Sequence, residues 1–186
     1  MMEAELFAVV VTGGLDAKVR RRSSMQARFF TKLQQRVDIF FRTTYQKAEH
    51  MDCAENLALV DSFEDFGNKV TPKLKPTRPP ISRSPRSMKL PLEVIAQKLN
   101  KTANDFPEFT LSSQIFAVLD ERSAREDNGL IVLVRNDGTE TVRVHFDTIS
   151  TEITRIRMVT FDISKTIDLA KNAPDGVFRT ETPQPH

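Results

Sequence analysis

The stretch that decides the fold is GLIVLVRNDGTETVRVHF, residues 129–146. Two runs rich in β-branched residues flank Asn136-Asp137-Gly138-Thr139, and an Asp-Gly pair between such runs is typical of a tight β-hairpin turn. In the second run Arg143 and His145 alternate with apolar residues, so one face of that strand is expected to contact solvent. The stretch therefore predicts an antiparallel hairpin.

The sequence on both sides of this hairpin predicts further elements. Ile153 to Ile163 has the β-branched and aromatic composition of a third strand, with Val159, Phe161 and Ile163 on one side, which would complete an antiparallel meander. Upstream, Pro91 suits the first turn of a helix through Leu92, Ile95 and Leu99.

Residues 109–125 fit two structures. Leu111, Ile115, Val118 and Leu119 match helical spacing slightly better than strand spacing, whereas Phe109 to Leu111 suits the beginning of a strand. Both alternatives stay open on the sequence alone.

The N-terminal region begins with an apolar, β-branched run, Glu5 to Val11, that predicts a strand. Thr12-Gly13-Gly14 follows, and its position after a strand is that of a nucleotide-binding loop. However, the third glycine of a dinucleotide site and the Gly-Lys-Ser/Thr of a phosphate loop are both missing. A turn is the favoured interpretation, with Ala17 to Arg21 returning as the second strand of a hairpin.

Residues 24–50 predict a long amphipathic helix. Its apolar side chains recur at spacings of three, four and seven, and its opposite face is basic. The paired aromatic residues form a stripe wider than one small sheet covers, so they are candidates for self-association as well as for the core. These candidates are Phe29, Phe30, Phe40 and Phe41.

A second, acidic helix is predicted from Ala54 to Phe66. Leu57, Val60 and Phe63 would share one side of it, and Gly67 would end it.

Residues 68–89 form a basic, proline-rich arm. Residues 69–89 hold seven Lys or Arg and no acid, and five of the ten prolines of the chain lie in 68–89, which favours an extended, stiff segment. The arm divides the chain into a helical front half with an N-terminal strand (1–67), the arm itself (68–89), an α+β rear half (90–171) and a polar tail (172–186).

Sites of catalysis and metal binding are not recognisable. The three histidines are far apart and Cys53 is the only cysteine, so the spacing of a zinc site is missing and no metal or cofactor is expected. An enzyme with an unfamiliar site, near Asp61, Glu64 and His145, is the third function that we consider.

The cellular setting is expected to be aqueous and reducing. A single cysteine forms no intramolecular disulfide, Glu3 and Glu5 interrupt the only N-terminal apolar run, and that run is far shorter than the ~20 residues of a membrane helix. We therefore predict a cytoplasmic protein, or a component of a virus particle assembled in the cytoplasm, without membrane insertion.

The charge pattern gives the strongest functional signal. It predicts a non-enzymatic structural or assembly subunit, either a homo-oligomer or part of a hetero-complex, that binds through the Phe-rich helix and the basic arm. The alternative is an accessory protein that contacts nucleic-acid phosphates without reading sequence, because the arm has no aromatic residue for bases to stack on. Both functions would use the same cations: Arg20, Arg21, Arg22, Lys69, Lys73, Lys75, Arg78, Arg83, Arg86 and Lys89.

Overall fold

The computed structural model describes residues 6–12, 56–60, 63, 90–107, 111–123, 125–158 and 162–180. They build a mixed α+β fold around one five-stranded sheet of order β2-β1-β3-β4-β5. In chain order the elements are β1 (Leu6–Val11), β2 (Asn56–Val60), α1 (Leu92–Asp105), β3 (Ile115–Leu119), β4 (Asn128–Arg135), β5 (Gly138–His145), α2 (Phe146–Met158) and α3 (Ser164–Asn172).

The sheet has a parallel part and an antiparallel part. β1 pairs in parallel with β2 on one side, with Val9 opposite Leu59, and with β3 on the other, with Val9 opposite Ala117. The strands β1 and β3 are nearly continuous apolar runs, as strands covered on both faces must be. Both edges of β1 are thus occupied near its carboxyl end, and Ala17 to Arg21, the predicted second strand of the N-terminal hairpin, lies outside the described residues.

The hairpin of β4 and β5 is confirmed. Arg135 pairs with Gly138, so the connecting loop contains only Asn136 and Asp137. Gly138 has a φ of 151°, a conformation that side-chain-bearing residues rarely adopt, which explains why a glycine follows Asp137.

Helices cover both faces of the sheet. α2 and α3 lie on one face, where Ile149 and Ile153 pack against Leu119 and Ile131. α1 lies on the other face, where Ile95 and Leu99 belong to a second apolar cluster. The helix predicted after Pro91 is thus confirmed, with Pro91 as its N-cap residue.

The acidic helix predicted over 54–66 is wrong where the structure describes it. Residues 56–60, Asn-Leu-Ala-Leu-Val, form β2. The run is short and apolar, and such a run fits a buried parallel strand as well as a helix. Its place beside β1 decides between the two.

The third strand predicted from Ile153 to Ile163 is wrong over residues 153–158, which are helical, whereas Val159 and Phe161 lie outside the described residues. Residues up to Met158 belong to α2, and α3 begins at Ser164. Ile149, Ile153 and Ile156 recur at helical spacing and all three are buried against the sheet. Burial of this stripe overrides the strand preference of β-branched residues.

A meander of three antiparallel strands nevertheless exists, because β3 is its first strand. β3 pairs antiparallel with β4, with Ala117 opposite Ile131. All five residues of β3 are buried, so side chains from both faces of the strand enter the core. The ambiguity over 109–125 is thereby resolved in favour of a strand at 115–119.

Val177 and Phe178 lie against the sheet, although a polar tail is predicted from residue 172. Val177 is buried, and Phe178 forms a parallel bridge with Val144 of β5. The predicted tail therefore contributes to the folded domain as far as Thr180.

The sheet joins the front and rear halves of the chain, since β1 lies between β2 and β3. The predicted strand 17–21, the predicted helix 24–50 and the basic arm 69–89 lie outside the described residues. Within the described part, no helix has both the length and the apolar character needed to span a membrane.

Candidate functional site

Polar side chains gather at the sheet edge where the three parallel strands end. β1 ends beside β3 there, and the Thr12 amide donates to the Leu119 carbonyl at 2.8 Å. β4 is antiparallel to β3, so its first residue, Asn128, lies at the same edge, opposite His145 at the end of β5. In open sheets of parallel strands, ligands bind outside the carboxyl ends of the strands, so this edge is the candidate site.

An ion pair between Asp120 and Arg143 forms the centre of this edge. Arg143 Nη2 lies 2.5 Å from Asp120 Oδ2, and Nη1 lies 3.1 Å from Oδ1 and 3.0 Å from Asn128 Oδ1. The Arg143 side chain is only 14% exposed, and Asn128 is buried. This geometry fixes the guanidinium over the start of β4.

The turn after β3 holds the Asp120 carboxylate in place. The Ser123 amide donates to Asp120 Oδ1 at 2.9 Å, and the Asp120 amide donates to Ser123 Oγ at 3.1 Å. Burial by itself would raise the pKa of Asp120, but the hydrogen bonds and charge of Arg143, together with the hydrogen bonds from Ser123, outweigh it. The pKa therefore lies below its usual value, and Asp120 is ionised at neutral pH.

A second group of charges lies beside the first. Glu126 Oε2 accepts hydrogen bonds from Arg122 Nε at 2.7 Å and from Asn128 Nδ2 at 2.8 Å, and these two bonds lower the pKa of Glu126. Arg122 also donates to the Asp175 carbonyl at 2.8 Å, which ties the turn after β3 to the C-terminal segment.

Asp175 anchors that segment through a further ion pair. Arg179 donates to both of its carboxylate oxygens, at 2.6 and 3.0 Å. The hydrogen bond from Arg179 lowers the pKa of Asp175 to about 2, although its desolvation acts in the opposite direction.

His145 pairs with a carboxylate at the same edge. Its Nδ1 lies 2.7 Å from Asp147 Oδ1, and Thr148 Oγ1 donates to the same oxygen at 2.9 Å. A carboxylate at Nδ1 sets the tautomer that leaves Nε2 as a proton acceptor. The side chain is 31% exposed.

A separate polar cluster lies between the helices on one face of the sheet. Glu152 is buried in α2, and it pairs with Arg155 at 2.7 Å and accepts a short hydrogen bond from Thr166 of α3. The hydrogen bond to Glu152 raises the pKa of Arg155. We assign this cluster a structural role, because it joins α2 to α3 and satisfies a buried carboxylate.

Most residues singled out in the sequence are not among those that the structure describes. This holds for the basic arm, Arg20 to Arg22, the four phenylalanines, Asp61 and Glu64. His145 is described, but the ends of β2 and β5 are four strand positions apart, roughly 19 Å at about 4.8 Å per strand. The end of β2, which Asp61 follows in sequence, is therefore far from His145.

The pairing of Asp120 with Arg143 was not predicted from the sequence. The sequence feature that could have identified Asp120 is its position directly after the apolar run Ile115 to Leu119. That position indicates a site only when the run is known to be a parallel strand. Among the described residues, no group of three or more His, Cys, Asp or Glu side chains is arranged to hold a metal ion.

Comparison of the chain with protein-family models, with curated proteins and with solved structures gives no match.

Proposed function

We propose that the chain is a non-enzymatic assembly subunit that binds an acidic partner surface through the basic arm 69–89. The observation that supports this most directly is that the nearest described residues on either side of the arm pack against one apolar cluster. Phe63 before it and Leu90 after it pack against the same apolar cluster as α1, and Lys98 Nζ lies 5.6 Å from the Phe63 ring centre. The cations of the arm thus lie in sequence between two residues that pack against one folded body.

Charge favours a second copy of the chain as the acidic partner. Residues 1–89 hold 16 Lys or Arg and 10 Asp or Glu, whereas residues 90–186 hold 11 and 15. Residues 90–186 of one copy therefore carry a net charge opposite in sign to that of the arm of another. Such pairing steers association and weakens as salt is added.

The test compares two variants with the same change of charge. The arm variant replaces three lysines with Gln: Lys69, Lys73 and Lys75. The control replaces three exposed helix lysines with Gln: Lys101, Lys165 and Lys171. Light scattering at low and high salt measures the mass of the assemblies. We expect the arm variant alone to lose mass at low salt, and equal losses in both variants would refute the proposal.

The second candidate is binding to nucleic-acid phosphates, which the seven cations and the lack of acids in 69–89 favour. Each phosphate contact releases counterions, so affinity would fall steeply with salt. A salt titration with single-stranded and duplex DNA and RNA separates the candidates. Tight binding with a steep salt slope, lost in the arm variant, favours nucleic acid over the protein partner.

A further inference from the structure

The outer edge of β5 carries main-chain groups that point away from the sheet. The Phe178 amide donates to the Arg143 carbonyl at 2.8 Å, and the His145 amide donates to the Phe178 carbonyl at 3.0 Å. Directions alternate along a strand, so the odd-numbered residues of β5 face outward and the even-numbered residues face β4. Thr139 and Thr141 therefore direct their N–H and C=O groups outward as well.

These outward groups of Thr139 and Thr141 have no hydrogen-bond partner in the part of the chain that the structure describes, and Thr141 is exposed. The C-terminal segment covers only the last residues of β5, because it turns at Gly176, whose φ is 69°. With respect to the described residues, the open part of the edge is thus 138–142.

This open edge lacks the features that usually prevent strand pairing. Protein edges are commonly protected by lysine, proline or a bulge, and residues 138–142, Gly-Thr-Glu-Thr-Val, contain neither lysine nor proline. The ladder to β4 is regular throughout. The one charge, Glu140, is held by Arg135 at 2.8 Å.

We propose that this edge pairs with the same edge of a second copy, in an antiparallel contact around a two-fold axis at Glu140. The two outward-facing threonines are placed symmetrically about Glu140. The axis therefore brings Thr139 opposite Thr141 of the second copy, and Thr141 opposite its Thr139. Every outward donor then meets an acceptor, as an isologous interface requires.

The length and charge of the edge set the strength of this contact. Phe178 limits the ladder to residues 138–142 in each copy, far less than a standard interface, so a weak dimer is expected. The two Glu140 side chains meet across the axis, and like charges directly opposite destabilise a sheet. Arg135 in each copy offsets that repulsion, which makes Arg135 part of the interface although it lies on β4.

The test is sedimentation equilibrium of the full chain at concentrations up to roughly 0.5 mM. At high salt, where contacts through the arm are screened, wild type is expected to show a monomer–dimer equilibrium. Thr141→Pro removes an outward amide that does not pair with β4, so the fold should persist and dimerisation should weaken about tenfold or more. Glu140→Pro is the matched control, because its amide faces β4 and its substitution should lower the thermal stability instead.

Arg135→Gln provides a second variant that changes only an exposed ion pair. It leaves the two Glu140 charges without their offset, so dimerisation should weaken several-fold, most at low salt. A monomeric wild type throughout this concentration range, or a dimer unaffected by both Thr141→Pro and Arg135→Gln, would overturn the proposal. The arm variant should still dimerise, which separates this contact from the assembly through residues 69–89.

Discussion

Arg143 reaches from β5 across the start of β4 to Asp120, the residue directly after β3, and pairs with both of its carboxylate oxygens at 2.5 and 3.1 Å. The two residues are 23 positions apart in sequence, and the bond joins the antiparallel part of the sheet to the edge where the parallel strands end. Only 14% of the Arg143 side chain and 29% of the Asp120 side chain are exposed. Removing either residue therefore leaves a largely buried charge unpaired, which destabilises the fold.

The first prediction concerns this pair. Arg143→Met removes the partner of a half-buried carboxylate and should lower the free energy of unfolding by about 1–3 kcal/mol. Arg135→Met serves as the control, because the Arg135–Glu140 pair is 36% and 41% exposed and should cost less than about 1 kcal/mol. Urea denaturation measures both, and equal costs would contradict the role given to Arg143.

The second prediction concerns pH. Asp120 and Asp175 have pKa values below their usual range, that of Asp175 at about 2. Groups with depressed folded-state pKa values stabilise the protein above the unfolded value of about 3.9 and lose that contribution as pH falls toward the folded value. Stability should therefore decline from about pH 4 toward pH 2. Denaturation midpoints measured across this pH range test the prediction. Asp120→Asn and Asp175→Asn should each reduce the decline in stability. A decline unchanged in both variants would contradict the lowered pKa values.

The third prediction concerns Gly129 of β4. A Cβ at this position would lie 2.9 Å from Ile149 Cδ1 of α2, 3.2 Å from Leu119 Cδ2 and 3.3 Å from the Val118 carbonyl oxygen. Gly129→Ala should cost about 1–3 kcal/mol of stability through this overpacking. Ile149→Val removes the nearest atom, so the double variant should lose less than the two single changes together. Strict additivity of the two costs would argue against a direct contact.

The fourth prediction concerns the buried carboxylate of Glu152, which is 2% exposed. Arg155→Met leaves this charge with Thr166 as its remaining side-chain partner and should destabilise the protein by about 3–5 kcal/mol. Combining it with Glu152→Met should recover part of the loss, because both charges are then gone. A double-mutant cycle by thermal denaturation checks this, and a loss below about 1 kcal/mol for Arg155→Met would show that the ion pair does not offset the burial of Glu152.

The hairpin of β4 and β5 was predictable because its information is local. Alternation in the second strand and the Asp-Gly pair both lie within 18 residues, and no distant contact is needed to choose between structures. The same holds for α1, where Pro91 and the spacing of Ile95 and Leu99 agree with each other.

The predictions that failed concern segments whose secondary structure depends on contacts with residues far away in sequence. Ile153 to Ile156 has the composition of a strand, yet it is helical because Ile149, Ile153 and Ile156 together bury one stripe against the sheet. Residues 56–60 and 115–119 are short apolar runs whose strand structure depends on pairing with β1. The paired residues are 50 positions apart for Leu6 with Asn56 and 108 positions apart for Val9 with Ala117.

The candidate site escaped prediction for the same reason. Asp120, Asn128 and Arg143 meet only through the order of β3, β4 and β5, and nothing in their spacing marks them as neighbours. His145 was considered in the sequence, but its actual partner is Asp147, two residues away, rather than a distant carboxylate.

The central claim is that the arm 69–89 binds an acidic partner surface, and replacing this segment tests it most directly. A neutral Gly/Ser linker of equal length would keep Phe63 and Leu90 joined while removing seven positive charges. Sedimentation velocity at low salt, on a variant whose circular dichroism matches wild type, should show the loss of every species larger than the dimer. Unchanged large assemblies in that variant would contradict the account.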